Sequence, residues 1–136
     1  MKTIVVKLSA FILILASLMG MNACFSEPVR KLTMVDREKV EYIAVFTDYE
    51  GPMKDVPETS HAIILAYLEM ATPFRNSISD SVYGEDYIGI KVKTVETTVY
   101  YFVYRDWLGR TLVEVPYNAI YRVNSKLYDT LYDFVN

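Results

Sequence analysis

Between Tyr87 and Val115 the chain reads as three strands in succession, and this stretch constrains the fold more than any other. In Tyr87 to Val95, Ile88, Ile90 and Val92 alternate with Gly89, Lys91 and Lys93. A strand with one buried and one wet face requires that period of two. Val95 to Thr98 forms a turn into a second strand, Val99 to Arg105 (VYYFVYR). Asp106 to Gly109 then turns again, with Gly109 suited to the positive φ of a tight hairpin. Arg110 to Val115 completes an antiparallel meander.

The flanking segments supply the rest of the layer. Val40 to Thr47 (VEYIAVFT) is β-branched and aromatic, bounded by the turn-forming run Asp48, Tyr49, Glu50, Gly51, Pro52, and reads as a buried strand. Thr59 or Ser60 can cap a helix that places Ile64, Leu65, Leu68 and Ala71 at helical spacing, with Glu69 outward. Pro73 stops it near Thr72, because the residue before a proline is pushed out of the α region. From Pro73 to Asp86 the chain is polar and irregular, long enough to suggest a functional loop. Pro116 interrupts the third strand of the meander, so Tyr117 to Val123 is either a short edge strand or an extended lead-in. Asn124 and Ser125 can cap a last helix carrying Leu127, Tyr128, Leu131, Phe134 and Val135 on one side. The expected fold class is α+β, with element order β-α-β-β-β-(β)-α: an antiparallel sheet of about four or five strands with two helices packed on one face.

The N-terminus has the parts of an export signal. Lys2 and Lys7 precede an apolar run from Leu8 to Met19, followed by small residues up to Ala23. As a helix that run of about a dozen residues would rise only about 18 Å, short of a hydrocarbon core of about 30 Å. Met21, Asn22, Ala23 and Cys24 resemble a bacterial lipobox, whose cysteine becomes acylated, with Met21 where that motif has Leu. Lipidation at Cys24, ordinary secretion with a free Cys24, and an uncleaved anchor are the alternatives. A lone terminal thiol in an oxidising compartment favours the acylated form. The division is then 1–23 signal peptide, 24–34 tether and 35–136 a single α+β domain. Cleavage after the first 23 of 136 residues leaves 113 and takes the formal charge from −3 to −5. The expected location is extracytoplasmic, on a membrane.

The segment Tyr100 to Tyr121 resembles part of an uncharacterised domain family of small exported proteins and lipoproteins from Gram-positive bacteria. The likeness rests on Phe102, Val103, Tyr104, a short charged turn, and Val113, Glu114, Val115, Pro116, Tyr117, Asn118, Ala119, Ile120, Tyr121. Ala119 stands where that family has Gly. Ala71, Thr72, Pro73 and the region of Ser79 to Val82 resemble its earlier part. The resemblance implies export and a single domain, and no activity.

Residue types exclude much chemistry. With one Cys and one His the chain cannot form a Cys/His zinc site, an intrachain disulfide or a CxxC pair. No cofactor and no metal are expected. No Lys/Arg cluster of the mature chain exceeds Arg30, Lys31, so nucleic acid is not an expected partner. A hydrolase would have to use His61 with Asp80, Glu85 or Asp86. Asp48, Glu50 and Asp55 form a second acidic group without the spacing of a calcium loop.

The twelve tyrosines are the strongest compositional signal. Amphipathic rings suit binding surfaces because they bury area at low entropy cost, although they also fit strands for purely structural reasons. The candidate ligand-binding residues are Tyr87, Tyr100, Tyr104, Trp107, Tyr117 and Tyr121. The leading expectation is a non-enzymatic, membrane-tethered protein- or peptide-binding module. A small cell-envelope hydrolase and an immunity-type protective lipoprotein are the alternatives, and edge strands make a dimer possible.

Overall fold

The alternation at the centre of the sequence becomes the middle of one continuous sheet. The computed structural model describes residues 28–77 and 86–136. The expected export leader, Cys24, Ser79 to Val82 and the acids Asp80 and Glu85 lie outside the described residues. Within them run β1 (Val40–Phe46), β2 (Lys54–Asp55), α1 (Glu58–Glu69), β3 (Thr72–Asn76), β4 (Tyr87–Thr94), β5 (Thr98–Arg105), β6 (Thr111–Val115), β7 (Ala119–Arg122) and α2 (Ser125–Val135). The sheet has seven strands in the order β2-β1-β4-β5-β6-β7-β3, and every neighbouring pair is antiparallel. The class is α+β, as the alternating pattern and the two amphipathic segments require.

Register assigns each side chain to a face. Ile90 of β4 pairs with Val45 of β1 and with Tyr101 of β5, and Val113 of β6 pairs with Val103 and Tyr121. These residues share the side that packs on the helices. They form one core with Ile43, Ile88 and Val92, with Ile64, Leu65 and Leu68 of α1, and with Leu127 and Leu131 of α2. Both helices therefore lie on the same face. The Asn124 side chain accepts from Lys126 N at 2.9 Å and caps α2. In α1 the expected cap is displaced. The helix begins at Glu58 after Pro57, which has no capping side chain, and Thr59 and Ser60 fall inside its first turn.

The sheet has two strands more than the four or five expected, and the optional one is placed differently. The two-residue β2 is too short to announce itself, and its partners Ala44 and Val45 are distant in sequence. Residues 72–76, expected to begin an irregular loop, form β3. A proline is compatible with that assignment because β3 is the sheet edge, where the missing N–H breaks no ladder bond. Residues 119–122 form a strand, but an interior one between β6 and β3. Both edges are blunted, one by shortness and the other by Pro73 and a register shift between Pro73 and Arg75, devices that oppose strand-to-strand association.

The segment expected to be a tether is partly packed. Leu32 is only 6% exposed and belongs to the main core, with Val29, Met34 and Val35 against it. Any free linker therefore ends before Val29.

Candidate functional site

The sheet face opposite the helices carries the alternate residues of the same strands, and their chemistry is different. Phe46 of β1 stands across from Gly89 of β4. Its ring occupies the space over that glycine so closely that a Cβ there would sit 2.1 Å from Cζ. Around Phe46, Tyr49, Tyr87, Tyr100 and Phe102 pack edge-on with centroids 5.8 to 6.4 Å away. Edge-to-face contact sets the negative face of one ring against the positive edge of another. Lys91 and Lys93 lie over the Tyr42 ring at 5.6 and 5.8 Å. A hydrogen bond to the Tyr42 phenol holds the Lys91 ammonium above its ordinary value.

The centre of this face contains a buried acid. Glu114 pairs with Phe102 and Ile120, is 0% exposed, and accepts a 2.6 Å hydrogen bond on Oε1 from Ser77 Oγ. Its Oε2 and the Tyr104 hydroxyl are buried without a hydrogen-bond partner among the described residues. Burial first, and then the neighbouring Glu114 carboxylate, push the Tyr104 phenol up to about 12, while Arg75 pulls it down.

Toward the β5–β6 hairpin the face becomes cationic. Phe74, brought to this side within the irregular stretch of β3, packs with Tyr104, Leu112 and Ile120. Three guanidiniums lie against its ring: Arg122 at 4.6 Å, Arg110 at 4.9 Å and Arg75 at 5.7 Å. A groove of about 410 Å³ opens beside it, walled by Phe74, Arg75, Tyr104, Trp107, Arg110 and Leu112. The hairpin itself is rigidly made. Asp106 accepts from the backbone N–H groups of Leu108 and Arg110 and from Arg110 Nε, and Gly109 takes φ 76°. Desolvation pushes the Asp106 carboxyl up, but the hydrogen bonds and charge of Arg110 outweigh it and leave the group below its ordinary value. Trp107, held at the tip, is 89% exposed.

The candidate residues therefore separate. Tyr87 and Tyr100 sit half-buried in the aromatic cluster, Trp107 stands at the tip, and Tyr104 is on the same face but buried beneath the groove. Tyr121 must be removed from the surface set: its pairing with Val113 turns it toward the helices, where it is 1% exposed. Tyr117 is exposed but lies at the opposite end of the sheet from Trp107, in the β6–β7 turn, with a left-handed φ of 60°. Ala119, by contrast, begins β7. Phe46, Tyr49, Phe74, Arg110 and Arg122 complete the face without having been singled out in the sequence. The run Pro73, Phe74, Arg75 was the one local hint, an aromatic between a proline and a cation in a stretch otherwise polar.

The residues considered for catalysis are placed differently. His61 Nε2 lies 3.0 Å from the Val56 carbonyl oxygen at the start of α1, a local bond that fixes the ring. Asp86 is exposed beside Tyr87, Tyr128 and Tyr132. Asp48 accepts from the Glu50 N–H within its own turn. Among the described residues no group of three His, Cys, Asp or Glu is arranged to hold a metal ion, and no helix is long and apolar enough to cross a membrane.

No protein-family model matches the chain, and no curated protein does. Among solved structures, the NMR structure of a protein from Ruminococcus gnavus is similar, with 23% identity and a TM-score of 0.56, covering 71% of this chain and 97% of that one. At that identity the likeness shows a shared fold.

Proposed function

We propose that this chain is a non-enzymatic protein- or peptide-binding module, tethered to the outer face of a membrane by a lipid at Cys24. The observation that carries the binding part is Trp107: an 89% exposed indole on a well-braced hairpin, beside a groove on the sheet face that the helices leave free. A large apolar ring in water costs hydration free energy that a partner can recover, and a rigid mount lowers the ordering cost of doing so.

The topology gives the tether a direction. Pro28 and Arg30 line a hollow with Tyr117 and Asn118, at the end of the sheet that carries the β4–β5 and β6–β7 turns. The Trp107 hairpin is at the other end, one eight-residue strand away, about 25 Å. From Cys24 to Pro28 the chain can span at most roughly 14 Å. A lipid at Cys24 thus keeps the Tyr117 end near the bilayer and directs Trp107 outward. The acyl chains would hold it there at roughly 0.8 kcal/mol per buried CH₂.

Two experiments test this reading. Cys24→Ser is expected to move the protein from the detergent to the aqueous phase on partition of cells, with loss of the diacylglycerol mass from its N-terminus; unchanged partition would exclude the lipid. A photo-crosslinking residue placed at position 108, the exposed neighbour of Trp107, in the producing cells is expected to give a discrete adduct, and one at Ile63 on the outer side of α1 to give none. Adducts from position 63 alone would refute the binding face.

A further inference from the structure

We infer that the groove beside Trp107 is an anion-reading site, and that its ligand is an acidic peptide segment with alternating carboxylate and aromatic or aliphatic side chains. The inference rests on the binding-module reading above and adds the chemistry of the partner. The chain as a whole is acidic, with a formal charge of −3. Nevertheless, three guanidiniums converge on the one ring of Phe74, at 4.6, 4.9 and 5.7 Å. Like charges gathered around one ring repel one another, a cost that stacking on the ring and the Asp106–Arg110 pair offset in part.

Among the described residues, the acids beside this groove are already bonded. Asp106 is taken by Arg110 at 2.6 Å, and Glu114 is buried and bonded to Ser77. Arg105, on the other side of the hairpin, pairs with Asp129 of α2. Arg122 is exposed, and among the described residues its guanidinium lies over the Phe74 ring. A guanidinium that meets a ring through its central carbon still has N–H donors to give, in the fork geometry that a carboxylate accepts from two donors.

The walls of the groove decide between a bare anion and a peptide. Phe74, Leu112, Tyr104 and Trp107 are apolar or aromatic, the carboxylate of Asp106 in the same wall is held by Arg110, and at about 410 Å³ the space is on the scale of pockets that bury organic ligands. A free phosphate would use the cations and leave these rings wet. A segment such as Glu-Phe-Glu uses both, placing its carboxylates on the arginine edges and its ring against Trp107. A nucleic acid strand would offer phosphates and bases, but it would bring a long polyanion to an acidic domain with a single cationic corner.

Trp107 is the single tryptophan of the chain, so indole emission excited at the red edge of its absorption reports on this groove alone. The full chain is titrated with acetyl-Glu-Phe-Glu-Phe-Glu-amide, with the counterpart in which Gln replaces Glu, and with inorganic phosphate. A saturable blue shift with the acidic peptide is expected, at least tenfold weaker with the Gln peptide and weakened by salt. Arg122→Glu is expected to reduce acidic-peptide affinity at least tenfold and to leave the Gln peptide unaffected; Arg122→Gln, which makes the smaller change, should reduce it severalfold. Equal binding of the acidic and Gln peptides, or an acidic-peptide affinity untouched by either Arg122 variant, overturns the inference while the binding face stands. Displacement by phosphate at the peptide's own concentration makes the site one for a bare anion and also overturns it. Absence of any response to the acidic peptide at millimolar concentration overturns it as well; crosslinking at position 108 then decides separately whether the face binds something else.

Discussion

The two faces of the sheet are built from the same strands, residue by residue in alternation, yet they obey different rules. The face toward α1 and α2 is lined mainly by Ile43, Val45, Ile88, Ile90, Val92, Val103 and Val113, enclosed aliphatic side chains, with Tyr101 and Tyr121 bringing two buried phenols among them. The other face carries Phe46, Tyr49, Tyr87, Tyr100 and Phe102 at one side, a buried Glu114 at its centre and an arginine-ringed Phe74 at the other. The first is a packing problem already solved within the chain. The second retains exposed rings and outward-facing cations. Under the proposed function, stability and recognition fall to opposite parities of the same residues, so a one-residue change of register would exchange them.

The largest effect that would sharpen this contrast is Leu131→Ala, which opens a cavity between α2 and the closed face. A loss of about 2–5 kcal/mol is expected in denaturant unfolding, typical of large-to-small changes in a tight core. Gly89→Ala tests the other face. The new Cβ meets the Phe46 ring, itself hemmed in by four others, and a loss of about 1–3 kcal/mol with altered near-ultraviolet circular dichroism is expected. No loss would mean that the aromatic cluster is loosely held and the two faces less alike in rigidity than the rings imply.

Alkaline pH acts on both faces together. Desolvation raises the Tyr101 phenol on the helix side, and burial with the Glu114 charge raises Tyr104 on the other, each from 10.0 to about 12. The unfolded chain therefore releases these protons first, and folding takes up protons above pH 10. Stability from this source is fully present below about pH 10 and is lost as pH rises through about 12, which a series of thermal melts across that window would register. A melting temperature flat to pH 12 would contradict the burial of both hydroxyls.

Much of the closed face could be read directly. Strict alternation in Tyr87 to Thr94 and a good cap at Asn124 are local signals, and both elements form where the pattern places them. What could not be read depends on pairing. Lys54–Asp55 and Thr72–Asn76 become strands because β1 and β7 accept them, and Pro73 hides the second by looking like a stop. The same dependence scrambled the candidate site. Parity separates Tyr121 from Arg122, and without the register of β7 against β6 nothing indicates that the tyrosine faces the core and the arginine faces out. The exposed Trp107 needed only its place between two strands and a hairpin glycine.

Smaller effects concern the two ends of the open face. Tyr117 occupies the third position of a turn closed by Asn118 N to Val115 O at 3.0 Å, following Pro116, where a positive φ favours glycine. Tyr117→Gly is expected to raise stability by about 1 kcal/mol, as measured by chemical denaturation, by relieving the left-handed backbone. Trp107→Ala is expected to change stability by less than about 0.5 kcal/mol, since an exposed tip has few contacts to lose, and yet to abolish the acidic-peptide response followed with a labelled peptide. A destabilised variant would place the indole in the fold and not in recognition.

The division of labour between faces is tested most directly by hydroxyl-radical footprinting of the protein on intact cells against the purified protein. The account predicts severalfold protection of Trp107 and Tyr49 on cells, with Met70 at the end of α1 and Tyr132 on α2 reacting equally in both. Protection of Met70 and Tyr132 with an unprotected Trp107 would contradict it.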